Sequence, residues 1–421
     1  MPASHQPSGR LAVILGLSVV AGLAPACGQD AHSPSAPPGG LPALVVSMSL
    51  AEDERDAVRA LLDTFTRETG TAVVLTSIGT ADLPERLRVD ARAGRPTLDL
   101  FAQDNLGLSV FVDEGLVEPL DDVPVPAEVP PMMRPPPVDG HRYFLPFRPN
   151  VQVTYANRAR LRAAGVDAPR TVVELRTVAR RLRDAGRGLG RVTLSLAQGA
   201  PATVTLCEWI VGFGGDPLVL NDPGSVSALE FLQGLWREGL LARESLLARY
   251  DTQVDFLTGE TAWLAPNWPF TSGVLVDQDL LERFLVYEGW RGPVRAAHVI
   301  GGDVLGVPRG VAGARKTQAL ALARFLMSRD AQRRLVEQNA WPSIRTDAYG
   351  EIPAARRETF AAVQRALADG WYRPNVAYWA AVDEALNEAV RRIVVGGAPA
   401  RPVLDDLARR LGAARGPGAV P

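Results

Sequence analysis

The sequence predicts a two-domain α/β protein with mainly parallel sheets flanked by helices, and three observations carry that prediction. At 421 residues the chain is longer than one ordinary hydrophobic core supports, which points to two domains. Residues 43–76 run strand, helix, strand at the spacing of a βαβ unit, and that unit implies a parallel sheet. The last third is dominated by helical patterns without a repeat at solenoid periods, so the fold is compound and not a tandem of copies.

The elements follow in chain order. Residues 43–49 (ALVVSMS) are a short apolar run bounded by turn formers. Val58, Leu61, Leu62 and Phe65 then recur at helical spacing, acidic residues crowd the first turn, and Gly70 stops the helix. A strand over 71–76, a helix near 83–93, a strand at 98–102 and a helix near 106–114 continue the alternation. Residues 119–139 are dominated by proline and can be neither helix nor central strand. A strand-like segment at 143–147 leads to another at 151–155 and a helical run at 157–164. Amphipathic helices at 172–185 and 225–238 flank a partly apolar helix (TLCEWIVGF). A helical turn and strand over 256–266, a strand at 304–307, and helices at 314–327, 331–338, 354–368, 376–394 and 403–411 complete the chain.

The formal net charge is −2, so the bulk chain offers no basic surface to a phosphate backbone, which argues against nucleic acid. The N-terminus reads as a targeting segment. Arg10 is followed by the uncharged stretch LAVILGLSVVAGLAPA and then Cys27. That stretch is short for a membrane span but suits the apolar core of a signal peptide over 1–26. Small residues directly before a cysteine resemble the lipobox of bacterial lipoproteins, although Ala24 stands where leucine is usual. The expectation is a mature chain lipidated at Cys27, with 27–42 as a flexible Pro/Gly tether. An ordinary secretory peptide or an uncleaved N-terminus are the alternatives. The other cysteine, Cys207, lies in an apolar run and reads as a small buried hydrophobe.

Ligands of open parallel sheets bind outside the carboxyl ends of strands. Asp104 and Asn105 follow one strand, Asn267 and Trp268 follow another, and Gly301-Gly302-Asp303 precede a third. One cleft between domains can gather all of these.

The segments TLDLFAQDNLGLSVFVDEGLVEPLDD, YFLPFRPNVQVTYANRARLRAAGV, WIVGFGGDPLVLNDPGSVSALEFLQGLW, FLTGETAWLAPNWPF and GGDVLGVPRG, in that order, resemble the family-1 solute-binding proteins of carbohydrate ABC transporters. The resemblance covers essentially everything after the tether. It implies a two-lobed periplasmic-binding-protein-like fold with the ligand cleft between lobes. One lobe would hold 43–149 and 299–345, the other 150–298 and 346–421. It further implies a monomeric receptor, tethered outside the cytoplasm, that delivers a neutral di- or oligosaccharide to membrane permease subunits. An α-glucoside such as trehalose or maltose leads the expectations. No cofactor, metal or catalysis is implied.

The resemblance also nominates site residues, and each has a competing structural role. Asp104 would accept from sugar hydroxyls, or cap the following helix as Asn105 also can. Glu54 matches a sugar-binding glutamate, yet helix-terminus electrostatics accounts equally for it and for its neighbours Glu52 and Asp56. Trp268, pinned in PNWPF, is the best stacking platform, with Phe270 on the same wall; packing within its own lobe is the alternative. Gly301 and Gly302 permit close approach to ligand. Asp303 stands where relatives often have tryptophan, and Asn150 where they often have aspartate. Trp341 and Arg345 lie in NAWPSIRTDAY, the arginine offering a donor fork to paired hydroxyls or an ion pair. Trp379 matches an aromatic beside the ligand but sits on an amphipathic helix, where core packing competes.

A secreted carbohydrate-active hydrolase and an adhesive lipoprotein are the competing classes. A glycoside hydrolase needs two carboxylates flanking the bond, and the chain carries no HExxH, GxSxG or Walker lysine motif. Its four histidines leave little general-base chemistry.

Overall fold

In the computed structural model, described over residues 42–415 apart from 51, 106, 340 and 351, two sheets each centre one of two lobes. The leader, Cys27 and the tether up to 41 lie outside the described residues.

The larger sheet starts as the spacing predicts. β1 (Leu44–Ser47) pairs in parallel with β2 (Val73–Thr76) and with β3 (Leu100–Asp104). Between β1 and β2, the helix Glu52–Thr69 turns Val58, Leu61, Leu62 and Phe65 into the core. Gly70 ends it in the left-handed region, at φ 72°, where a glycine carries no Cβ penalty. Asp99, buried just before β3, accepts from the Val45 amide at 2.7 Å and is paired with Arg315.

Six more strands follow: β4 (Leu145–Asn150), β5 (Val153–Asn157), β6 (Leu264–Asn267), β7 (Phe284–Tyr287), β8 (His298–Gly306) and β9 (Gly370–Tyr372). The larger sheet has the order β2-β1-β3-β8-β4, with β9 beside β8, and the smaller has the order β6-β5-β7. β8 runs antiparallel to both β3 and β4, and β5 runs antiparallel to both its partners. The smaller sheet is therefore not parallel, which corrects the expectation for that lobe. The parallel inference came from βαβ spacing near the N-terminus. β5 and β6 lie too far apart in sequence for any spacing to indicate their direction.

β8 also begins earlier than the predicted 304–307 and takes Gly301, Gly302 and Asp303 inside it. Paired glycines ordinarily mark a strand boundary. Here Gly302 adopts φ 89°, and a Cβ on it would stand 2.0 Å from the Arg148 carbonyl oxygen. The glycine lets β4 approach where the β4–β8 register shifts between Pro146 and Arg148.

The chain moves from the larger sheet to the smaller between β4 and β5 and returns between β7 and β8. It finishes beside the smaller sheet, where the helices Trp379–Ala389 and Ala400–Arg415 pack with Ala200–Gly212 and Pro223–Arg237. Cys207 is buried in that core. The proline-rich stretch is irregular apart from one 3-10 turn, Pro131–Met133. No described helix is long and apolar enough to cross a membrane.

Candidate functional site

The carboxyl end of β3 and the middle of β8 and β4 set a row of charges side by side. Asp104 stands opposite Asp303, and Asp303 opposite Arg148. Residues directly opposite in antiparallel strands share a face, so all three side chains point the same way. Arg148 donates from Nη2 to Asp303 at 2.8 Å and from Nη1 to Glu54 Oε1 at 2.9 Å. Its guanidinium carbon lies 4.2 Å from the ring centroid of Trp341, and the indole Nε1 of Trp341 donates to the same Glu54 oxygen at 2.9 Å.

Burial alone would lower the pKa of Arg148, but the charges of Asp303 and Glu54 outweigh it and raise it. Burial raises Asp303 against the pull of Arg148, and the neighbouring Asp104 charge adds to the rise. At the other end of the row, Arg373 follows β9. Its Nη2 lies 3.7 Å from Asp104 Oδ1 and donates to Asn105 Oδ1 at 3.2 Å. Asn105 is fixed in turn, its side chain donating to the Ile300 carbonyl and its backbone amide to the Gly302 carbonyl, each at 2.9 Å.

Trp268 is clamped above the glycine pair. A Cβ on Gly301 would stand 2.9 Å from the far edge of its indole. Tyr250 meets the ring edge-on at 5.5 Å, and the Asn267 side chain accepts from the Trp268 amide at 2.9 Å. Gly301 therefore serves Trp268, a close approach of ring to backbone within the protein.

Beside the charge row opens a cavity of about 520 Å³. Glu54, Arg148, Asn150 and Trp341 form one wall, and Phe270 with the helix Phe270–Asp277 forms the other. Of the residues nominated from sequence, Glu54, Asn150, Asp303, Trp341 and Phe270 gather at or beside this cavity. Asp104, Asn105, Gly301, Gly302 and Trp268 extend the same face through Arg373 and Tyr250.

Two nominees lie elsewhere. Arg345 closes a bidentate pair with Asp347, both contacts at 2.8 Å, and reaches Glu128 at 3.1 Å. It lines a separate hollow with Met133 and Tyr349, so its fork is engaged in ion pairs, the alternative weighed for it. Trp379 is packed in the helical core of the smaller lobe, and its buried indole N–H has no partner among the described residues.

Three charged residues were missed. Arg148 and Arg373 order the row, and Glu208 sits behind it. Glu208 accepts from the Val299 amide at 2.9 Å and faces a small cavity of about 40 Å³ beside Gln152 and His298. Burial pushes its carboxyl up to about 8 and pulls the imidazole of His298 down to about 4. A charged residue inside an apolar run, as in LPFRPN and TLCEWIV, was the available signal for Arg148 and Glu208. Among the described residues no group of histidine, cysteine and acidic side chains could hold a metal.

The model of the family described as bacterial extracellular solute-binding protein matches residues 60–362. Several solved structures share the fold. A maltose-bound T. maritima MalE3 is 20% identical with TM-score 0.72, covering 88% of this chain and 99% of that one. The cyclic α-maltosyl-1,6-maltose binding protein from Arthrobacter globiformis is 18% identical with TM-score 0.74, covering 89% and 99%. UgpB from Mycobacterium tuberculosis in complex with glycerophosphocholine is also 18% identical, with TM-score 0.72 over 89% and 99%. Among curated protein sequences none matches.

Proposed function

The chain belongs to the bacterial extracellular solute-binding protein family, and from that premise we propose that it is the receptor of an ABC importer for a neutral saccharide of more than one ring. The observation that carries the reading is the charge row. Arg148 is shared by Glu54 and Asp303, and Arg373 stands beside Asp104, so donors and acceptors alternate along a face already close to neutral. A polyol donates to the carboxylates and accepts from the guanidinium groups without leaving either ion uncompensated. An anionic ligand would meet three carboxylates against two arginines. A maltose-bound solved structure and one named as a cyclic α-maltosyl-1,6-maltose binding protein agree with a sugar, and an α-glucoside such as maltose or trehalose is the leading candidate. The lobes, divided at 43–149 plus 299–345 and 150–298 plus 346–421, would close over it. Asp104 and Asp303 would take hydroxyls, while Trp268 shapes the wall.

The experiment is a thermal-shift screen of the mature protein against neutral mono-, di- and trisaccharides, with glycerophosphocholine alongside. Only a ligand that prefers the folded state raises the melting point. A shift with a neutral saccharide is expected, and a shift with the phosphodiester alone would overturn the reading.

The same receptor would be held at a membrane by lipid on Cys27. Replacing Cys27 by serine should release the protein from membranes in soluble form. Wild-type protein already soluble and processed elsewhere would refute the anchor.

A further inference from the structure

At the far end of β6 from the groove lies a second hollow, of about 730 Å³. β6 ends at Asn267, beside Trp268, whereas Thr261, ahead of its first residue, lines this hollow. Trp236, Leu241, Leu246 and Val395 give it an apolar lining. Arg191, Arg237 and Arg243 stand among them, and the lining holds one acid, Glu244. Three cations to one anion is a local excess in a chain whose net charge is −2. Neighbouring Glu238 does not reverse it, since Arg176 and Arg180 occupy its carboxylate.

Arg237 and Arg243 are exposed and make no side-chain hydrogen bond or ion pair among the described residues, and the same holds for Arg187 at the edge of the hollow. Leucines are exposed beside them. Leu189, in the lining, is 61% exposed, and Leu247, next to Leu246, is 69% exposed. The turn that carries Leu189 is braced: the Val192 carbonyl accepts from the Ala242 amide at 2.8 Å, and a Cβ on Gly190 would stand 2.4 Å from the Leu241 carbonyl oxygen. Leu189 is therefore held out in water by the fold. With Val395, 40% exposed in the same lining, these side chains surround one hollow with apolar surface rimmed by guanidinium groups, a pattern that marks an interaction site.

We propose that this face docks the smaller lobe onto an anionic phospholipid surface. Leu189 and Leu247 enter the headgroup region, while the rim arginines pair with lipid phosphates, whose oxygens suit the planar donor fork. A phospholipid surface offers both halves of the match at once, phosphates in a plane and hydrocarbon directly beneath it. A dissolved anion or an acidic peptide answers the arginines but gives the two leucines no hydrocarbon layer. The proposal is independent of the saccharide reading, because the hollow and the groove cavity lie at opposite ends of β6 and share no lining residue.

Flotation of the mature protein with vesicles tests it, on a Cys27→Ser background so that no lipid anchor contributes. Binding to mixed phosphatidylglycerol and phosphatidylcholine vesicles is expected, falling as salt is raised, with none to phosphatidylcholine alone. Arg237→Ala combined with Arg243→Ala should reduce the partition about 10- to 30-fold. Leu189→Ser combined with Leu247→Ser should reduce it about 5- to 10-fold and leave its salt dependence unchanged. All four side chains are exposed, so unchanged melting temperatures exclude a folding defect. Absence of binding to the mixed vesicles overturns the proposal, as does equal binding to phosphatidylcholine alone or a wild-type partition in the arginine variant. Binding of polyglutamate that the arginine variant loses, with vesicle binding untouched by the leucine variant, would assign the face to an acidic protein partner and overturn it too.

Discussion

The two walls of the groove are built in opposite ways. On the larger lobe, Glu54, Arg148, Asp303 and Trp341 are fastened to one another by contacts of 2.8–2.9 Å and a stacked guanidinium. On the facing helix, Phe270 is open and Asp277 has no partner among the described residues. A network bonded this closely is rigid and expensive to disturb, even with the buried Nε of Arg148 left without a partner among the described residues. A wall of unengaged side chains on a helix can be changed at little cost to folding. The first wall therefore holds geometry, and the second is where ligand preference can change without endangering the fold.

The contrast is tested most severely by removing one arginine from inside the bonded network and one from outside it. Arg148→Ala takes from Asp303 and Glu54 the guanidinium they share, and because these side chains keep 15–24% of their surface exposed the cost should be about 3 kcal/mol, the low end for breaking a buried pair. Arg356→Ala, in the same cavity but without a carboxylate partner, should change stability by less than about 0.5 kcal/mol. Urea denaturation of both variants checks the difference. Equal losses would mean that the two walls are not distinct.

Two glycines, Gly302 on β8 beside the bonded network and Gly273 on the facing helix, give the next largest effect, with opposite signs. Gly302→Ala must place a side chain at φ 89° against the Arg148 carbonyl, and about 2 kcal/mol of destabilisation is expected from backbone strain and the clash. Gly273→Ala lies inside a helix with open space around it and should stabilise by up to about 1 kcal/mol through its higher helix propensity. Melting temperatures moving in the same direction would contradict the comparison.

The same division separates what the sequence disclosed from what it hid. The βαβ start, the helix stop at Gly70 and the two-lobed architecture were legible, because they rest on local periodicity and on segment order. Asp104 and Asp303 were legible as candidates but not as neighbours, since their pairing joins β3 to a strand about 200 residues later. Arg148 and Arg373 escaped notice because an arginine gains its meaning from partners distant in sequence, Glu54 for one and Asp104 for the other. Asn150 was nominated while Arg148, two residues earlier on the same strand face, was not. Strand alternation could have exposed that omission. β7 and β9 are short, and only pairing with β5 and β8 defines them.

The joint behind the walls supplies the smallest effect. Glu208, on the helix Ala200–Gly212, accepts from Val299 on β8 and so links an element of each lobe. Its carboxyl is raised to about 8 by burial, so the folded protein holds a proton that the unfolded chain releases above the ordinary glutamate range. Stability from this group is complete below about pH 4.5 and is lost as pH rises towards 8. His298, lowered to about 4 by burial, has the opposite sign: its contribution is complete above about 6.5 and is lost as pH falls towards 4. Between about pH 4.5 and 6.5 the two slopes cancel, and from 6.5 to 8 only the Glu208 slope remains. The loss over that interval should be about 1 kcal/mol, less than the full linkage value because Glu208 borders a cavity. Glu208→Gln keeps an acceptor for the Val299 amide and removes the titration. Its denaturation midpoint should stay level from pH 6.5 to 8 where that of the wild type declines. Parallel declines in the two proteins would show that Glu208 is already ionised at the joint.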